Sequence, residues 1–558
     1  MDKGRDAPRS GQDVALSGWA PGAESPIPLA PSFDWADSSA LSRSFASQLQ
    51  SLKFLDAVLL AYDRDREPAD LDYLASVLLS WGEFAQSDPP DSSMCWYDLS
   101  TSLRVPRILG VAARALRDHS QHGEAIARMI PHLLNGHRER LSSLLCATIS
   151  NKSLFVLAAL AEIAVIDDAV GESSGEAAAV IDEILALFSQ QFMPDGGHVE
   201  HSPAHQRMTL LGFHSVFKRF VPSGHPALGS PLRGAYEALS WMYRPDGNLV
   251  EIGDTTPERL PVPTAPPMSP NARFVFSRGG EGQRARRQWK ALPDSGWAFV
   301  RSPSEDSASE PGGESYLAFH AGFHSRSHKH ADDLSLCWSE GLVNILVDGG
   351  KFGYGAVLPR DSDLRRNGFY YADPRRQYIE STRAHSTVLL DGVDHDRVHR
   401  KPYGGGDVQA GLRSGRFTLS GTAPHGTWTH RRLIGFRPGR KLTVRDTVRL
   451  HDGQAHRMES RFLIDGRFSM RMVDGVVEMC REDAGVVLRI QGHDALERVP
   501  DVALGWPDPL EGWRSESDGE VTPCWSIVFR AECVKVTVGT VTFDVSTTKP
   551  EPSEGDAR

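Results

Sequence analysis

"PVPTAPPMSPNA", residues 261–272, decides how this chain is divided. Five prolines in twelve residues cannot continue a helix, because each removes a backbone donor and fixes φ. Before this stretch the apolar residues recur at three- and four-residue steps. Leu52, Leu55, Leu59 and Tyr62 share one helix face, and in "EAAAVIDEILALFSQQF", 176–192, Val180, Ile184, Leu187 and Phe188 fall on one side. Similar segments cover 70–82, 101–117, 123–135, 139–150, 153–166, 205–220 and 230–243. Short polar or Gly/Pro turns separate them, which predicts an all-α array of antiparallel helix pairs.

After the prolines the period becomes two. "SYLAFHAGF", "DLSLCWSEGLVNILVDGG", "HSTVLLDG" and "RFTLSG" read as strands. In "HRRLIGFRPGRKLTVRDTV", 430–448, two alternating runs flank "RPGR", a hairpin signal, and Leu442, Val444 and Val448 share a face. Turns recur about every ten residues to about 547, the pattern of a large antiparallel β-sandwich. The expected organisation is a flexible lead-in over 1–33, rich in Pro, Gly, Ser and Ala, a helical domain over 34–262, a sandwich over 263–548 and a frayed tail over 549–558.

The 558 residues carry 61 basic and 72 acidic side chains, a net charge of −11. That balance argues against a nucleic-acid binder, although a local basic groove on an acidic protein can still hold a polyanion. Six scattered cysteines with no CxxC do not read as a disulfide framework. The N-terminus shows no apolar leader and no run approaches a membrane span, which points to a soluble, cytoplasmic protein. Self-association is left open.

The chemistry-bearing residues cluster. "HSRSHKHADDLSL", 324–336, sets His328 and His330 before a strand; Asp348 ends the next strand and His385 opens another. Ligands drawn from neighbouring sheet segments suit a tetrahedral zinc. The plainer reading makes Asp348 a turn residue before Gly349 and His385 an ordinary strand residue. "HKHADD" lacks the last histidine of the H-x-H-x-D-H signature, and the βαβ context of that signature is missing. In the helical half, Asn151 stands between two helix segments, where an N-cap is the bland role. "DGGHVEHSPAHQRM", 195–208, packs His198, Glu200, His201 and His205 around a Ser202–Pro203 helix start.

Eight stretches together resemble the heparinase II/III-like polysaccharide lyases, a group that includes several alginate lyases. In the family's order they are "WYDLSTSLR", "ISNKSLF", "DGGHVEHSPAHQ", "PDGNLVEIGD", "HSRSHKHADDLSL", "LVDGGKFGY", "YIESTRAHSTVLLDG" and "HRRLIGF…LTVRDTV". The resemblance implies an α+β multidomain fold, an N-terminal incomplete (α/α) toroid followed by a C-terminal antiparallel β-sandwich. It implies β-elimination at a uronic acid: the C5 proton is removed and the C4–O bond breaks. The carboxylate must then be neutralised, the proton abstracted and the leaving oxygen protonated.

Carried over, Asn151 matches the asparagine that holds the carboxylate and His328 the sandwich histidine of the cleft. His330, Asp348 and His385 match a zinc set, Zn2+ in a structural role. Two positions depart from the family pattern. Lys152 stands where a His is usual, and His205 where the acid/base Tyr is usual. His205 therefore becomes a base candidate, with Tyr354 and Tyr378 (and Tyr243) as replacement phenols. Lys152, Glu200, His201, Arg104, Arg326 and Arg383 are the expected substrate contacts. The alternatives are a catalytically altered glycan-binding or assembly protein on the same scaffold, and a mononuclear metal oxygenase using the His330, Asp348 and His385 set.

Overall fold

The computed structural model describes residues 7–21, 24–36, 41–87, 89, 94–145, 151–171, 175–259, 262, 268–303 and 313–547. It has the expected fold class, a helical region followed by an antiparallel β-sandwich. Two compact units divide the chain: Met1–Gln190 with Ser215–Pro222, and Gln191–His214 with Ser223–Arg558.

In the first unit the long helices are Pro68–Gln86, Asp98–Arg117, Gly123–Leu145, Asn151–Val170 and Glu176–Gln191. Their inward faces supply Leu74, Trp81, Ile108, Val111 and Ile126 to one core, and Val105, Leu141, Val156 and Ile163 to another. Two segments expected at 123–135 and 139–150 are one helix across Gly136. A helical glycine costs only ~1 kcal/mol relative to alanine, and burial of Leu133, Leu134, His137 and Leu141 on one face outweighs it. Within the stretch read as a flexible lead-in, Gly11–Ser17 is a helix capped by Ser10, and Val14, Trp19 and Leu29 enter the core. The tail over 549–558 lies outside the described residues.

The second unit opens with the start of helix Pro203–Phe220 and with Ser230–Trp241, and continues into two sheets. One sheet runs Trp289–Leu292, Trp297–Pro303, Glu314–His320, Ser335–Glu340, Val343–Leu346, Ala455–Ile464, Trp525–Val534, Asp501–Leu504, with Val388–Leu390 also on Ala455–Ile464. The other runs Ser469–Val473, Val476–Arg481, Val486–Asp494, Val536–Thr547, Lys441–Leu450, Trp428–Arg437, Arg416–Pro424, Gln409–Arg413. The "RPGR" hairpin pairs Arg437 with Lys441; the Arg440 amide donates to the Arg437 carbonyl at 3.1 Å, and Gly439, after Pro438, takes the φ of +67° that this turn position needs. Along Lys441–Leu450 burial alternates with period two, and Leu442, Val444 and Val448 are fully buried. They meet Phe319, Trp338, Phe462 and Phe529 of the facing sheet.

The same inward face carries a charged group. Arg432 is fully buried and pairs Asp446 at 2.7 and 2.9 Å. It also donates to the carbonyls of Leu334 and Ser386, beside the loops of His330 and His385. Ser460 of the opposite sheet donates to Asp446 at 3.0 Å, so the group ties the two sheets together. Removing one partner of a buried pair strands the other, at ~3–5 kcal/mol. Urea unfolding of Arg432→Leu is expected to show that loss. Lys441→Ala, at an exposed pair with Asp544, is expected to lose under ~1 kcal/mol.

Candidate active site

Asp254 closes the segment "PDGNLVEIGD", and its carboxylate is buried. Four donors reach it. His328 Nδ1 lies 2.9 Å and the Tyr354 hydroxyl 3.1 Å from Oδ2; His330 Nε2 lies 3.0 Å and an Arg376 guanidinium nitrogen 2.6 Å from Oδ1. Burial alone would raise the acid. The Arg376 charge and the hydrogen bonds from His328 and His330 outweigh burial and hold it well below the usual carboxylate range. Asp254 is therefore an anion that accepts from His328, His330 and Tyr354 and forms an ion pair with Arg376. Accepting at His328 Nδ1 leaves the Nε2 lone pair of that ring available, the arrangement that orients a basic imidazole.

Around this hub the expected residues fall into place unevenly. His205, in the first turn of helix Pro203–Phe220, stacks on His328 with ring centres 3.5 Å apart. Its Nδ1 is 3.0 Å from Ser202 Oγ, and Ser202 also donates to the Asp254 carbonyl. Burial, reinforced by the neighbouring His328, pushes His205 well below its ordinary value, so it is neutral near pH 7. Tyr354 leaves half its surface exposed while its hydroxyl points in at Asp254, 3.1 Å from His328 Nδ1. Burial and the Asp254 charge raise this phenol far above its ordinary value, which keeps it protonated. Glu200 is buried, with Oε2 3.9 Å from His328 Nε2; burial raises it and His328 pulls it back. Tyr371 stacks on Tyr354 at 5.2 Å, and Lys351 Nζ sits 4.7 Å from the Tyr354 ring centre.

Other candidates point elsewhere. Tyr378 is buried, and its hydroxyl accepts from the backbone of Gly512 and Trp513 at 3.0 and 3.4 Å. Arg376 and Tyr378 are two apart on helix Pro374–Glu380, hence on opposite faces, and Arg376 has the face toward Asp254. Tyr378 is a core group and not a replacement phenol. His201 is also interior: it contacts His320 at 3.1 Å and accepts from the His324 amide at 2.7 Å. Arg104 is fully buried between Trp81 and Trp96, donating to His137 and the Gln50 carbonyl, so it presents nothing to a substrate.

Arg326 donates to the carbonyls of Arg397 and Arg400, and Arg383 lies over the Tyr378 ring at 5.7 Å. Lys152 belongs to the first unit and pairs Asp98 at 2.9 Å. Asn151 opens the helix Asn151–Val170, and its side chain lies outside the described residues. Sequence reasoning misses Asp254 and Arg376. An acid closing a turn-rich segment looks like turn chemistry, and no motif marks Arg376.

The expected metal set does not close as three donors. His385 Nδ1 contacts Asp348 Oδ1 at 2.9 Å and Ser335 donates to Asp348 Oδ2 at 2.8 Å, so both carboxylate oxygens are engaged. Asp348 orients His385 from the ring edge opposite its Nε2. What remains is His330 Nδ1 and His385 Nε2, buried without hydrogen-bond partners, in rings 5.4 Å apart. Among the described residues, one candidate Asp/His/His triad gathers its donor atoms within 4.8 Å of one another: Asp333, His395 and His425. Its carboxylate already receives Arg400 and has Lys329 Nζ at 3.3 Å and Tyr403 at 3.2 Å. His425 Nδ1 is 2.9 Å from Arg400. His395 Nδ1 and His425 Nε2 are nonetheless buried without hydrogen-bond partners, 3.4 and 3.9 Å from Asp333 Oδ2, so this triad keeps two bare nitrogens beside a carboxylate that Arg400 and Lys329 also approach.

The family model described as heparinase II/III-like, C-terminal, matches residues 284–553. A crystal structure of heparinase III is similar at a TM-score of 0.72 and 14% identity, over 94% of this chain and 81% of that one. Heparan sulfate lyase HepC from Pedobacter heparinus is similar at 0.68 and 15%, over 98% and 85%. At these identities the likeness is one of fold. No curated protein matches the sequence. Among the described residues no helix is long and apolar enough to cross a membrane.

Buried neutral imidazoles make this unit acid-sensitive. Burial, with smaller contributions from neighbouring charges, lowers His198 and His320 to about 3 each, against ~6.5 when unfolded. Below pH ~6.5 the unfolded chain binds protons that the folded chain refuses. Stability is then level in these groups above ~6.5 and falls toward pH 3, by up to ~1.4 kcal/mol per pH unit for each. Urea midpoints are expected to drop between pH 7 and pH 5; level midpoints over that interval would contradict the assignment.

Proposed function

We propose, for a chain that carries a heparinase II/III-like C-terminal domain on the fold of the heparinase-type lyases, cleavage of a uronic-acid-containing glycan by β-elimination. The observation that carries the reading is the Asp254 carboxylate, which binds His328 through Nδ1 and Tyr354 through its hydroxyl. In this scheme His328 Nε2 takes the proton from C5, and the C5 electrons form the C4–C5 double bond as the C4–O bond breaks. Tyr354, kept protonated by its surroundings, gives its proton to the leaving oxygen. His328 Nδ1, 3.1 Å away, is the return path for a proton to the phenol. Asp254 and Glu200 stabilise the imidazolium, and the stacked neutral His205 adds no opposing charge. Asn151 is assigned the substrate carboxylate by resemblance.

The zinc reading, in a structural role, rests on the bare nitrogens of His330 and His385, which are two of the four donors a closed structural site takes. Two unpaired buried nitrogens in adjacent rings cost ~1–3 kcal/mol each unless a cation or proton fills the gap. No step of the elimination runs through the metal. Zinc analysis of protein prepared without chelating resin is expected to read near one equivalent, lost in His330→Ala/His385→Ala and kept in His395→Ala/His425→Ala. The reverse pattern would move the site to Asp333.

Elimination leaves a conjugated double bond that absorbs in the near ultraviolet. Absorbance growth is expected on one or more of heparan, chondroitin, hyaluronan and alginate-type oligosaccharides. His328→Ala and Tyr354→Phe should slow it by ~10²-fold or more. Glycan binding without absorbance across that panel would favour a binding or assembly role, a reading that the His205 substitution also supports.

A further inference from the structure

A cavity of about 420 Å³ in the second unit shares no residue with the Asp254 cluster. Five of its lining residues are arginines: Arg244, Arg259, Arg278, Arg284 and Arg301. Three carboxylates answer them, Asp246 and Glu314 in the wall and Glu251 behind Arg244. The chain as a whole is acidic, at −11, so this is a local reversal of sign.

The arginines form a layered set. Arg244 is buried and held by Glu251 at 2.8 Å and Asp246 at 3.1 Å. Arg301 donates to the carbonyls of Ser240 and Tyr243 and lies 3.8 Å from Glu314. Both keep a buried Nε with no hydrogen-bond partner. Arg284 packs on the Phe274 ring at 5.3 Å and pairs Glu314 at 3.2 Å. Arg259 and Arg278 are exposed, and neither has an ion pair among the described residues. Phe274 and Val275 give the wall an apolar side, and Leu342, on the Ser335–Val343 hairpin turn, extends it to the exposed mouth.

Like charges gathered in a partly closed space repel, and the surplus is relieved by an anion. Guanidinium forks match planar or tetrahedral oxyanions through paired N–H donors. The volume falls within the ~300–1,000 Å³ of small-ligand sites. We propose that this cavity is a second binding site, for a small sugar carrying two or more anionic groups, carboxylate, sulfate or phosphate. Arg259 and Arg278 supply the surplus charge that captures the ligand, Arg244, Arg284 and Arg301, answered by Glu251, Asp246 and Glu314, line the floor, and the Phe274–Leu342 side meets the apolar face of the ring. Binding stands without the lyase reading. Under that reading the ligand is an anionic oligosaccharide held away from the reacting residue.

The test is calorimetric titration of the full chain with inorganic sulfate, inorganic phosphate and a sulfated uronate disaccharide, at low and moderate salt. Saturable disaccharide binding is expected, weakened at least tenfold in Arg259→Ala/Arg278→Ala with an unchanged melting temperature. Binding unaltered in His328→Ala/Tyr354→Phe is expected as well, which separates this site from the catalytic one whatever becomes of the lyase assignment. Phosphate or sulfate binding alone would make the site one for a free oxyanion and overturn the sugar. Binding insensitive to the double arginine variant, or no saturable binding of any probe, would overturn the site.

Discussion

A carboxylate removed from water must be compensated or it is not tolerated, and Asp254 is the buried acid on which the candidate site turns. Its compensation comes from residues 74 to 122 positions further along the chain, in the loop of His328 and His330, the segment of Tyr354 and the helix of Arg376. Bringing these together is a long-range requirement, met by loops and a short helix that lie far from Asp254 in the chain. The same compensation decides chemistry. By accepting at His328 Nδ1 and His330 Nε2, Asp254 fixes one tautomer in each ring and leaves a lone pair pointing outward from both. One anion therefore decides which nitrogen stays bare in each ring, Nε2 of His328 and Nδ1 of His330.

The fold is legible because its determinants are periodic. Three- and four-residue spacing predicts the helices and period two predicts the strands, on either side of the prolines. What escapes is where a local signal is outvoted. Gly136 reads as a break, yet a weak intrinsic penalty loses to a continuous buried face on Gly123–Leu145. Arg432 alternates in phase with Ile434 and Phe436, so its sequence position gives the correct face. The sequence does not say that a charge on that face will be buried, because that depends on Asp446 and Ser460 arriving from two other strands.

The candidate site is legible to a smaller degree and for a different reason. His328, His205, Glu200 and Tyr354 stand out through motifs, and the structure brings them around one point. Tyr378 illustrates the limit. A short helix with Arg376 and Tyr378 two residues apart can present only one of them to a given neighbour, and nothing in the residue types says which. The ionic demand of Asp254 selects Arg376. Arg104 and His201 show the same limit in the interior. A polar residue inside a motif can serve packing as readily as a substrate, and both of these are enclosed by aromatic or imidazole rings.

Backbone conformation supplies the last part of the site. His201, Gly253 and His328 take φ of +57°, +60° and +56°, the left-handed region that side chains other than glycine rarely enter. A Cβ on Gly253 would stand 3.0 Å from the carbonyls of both His201 and His328, so the three turns approach as closely as their backbones allow. The Asp254 amide then lies 3.3 Å from the His328 carbonyl, while the Asp254 side chain takes the imidazole of the same residue. His328 is thus held twice, by its backbone and by its ring, in a conformation costing of order 1–3 kcal/mol. That cost is tolerable because His201 and His328 are each fixed by further hydrogen bonds. A base held at both ends has little freedom to turn its Nε2 away from the C5 proton of a bound sugar, which is the property the proposed elimination asks of it.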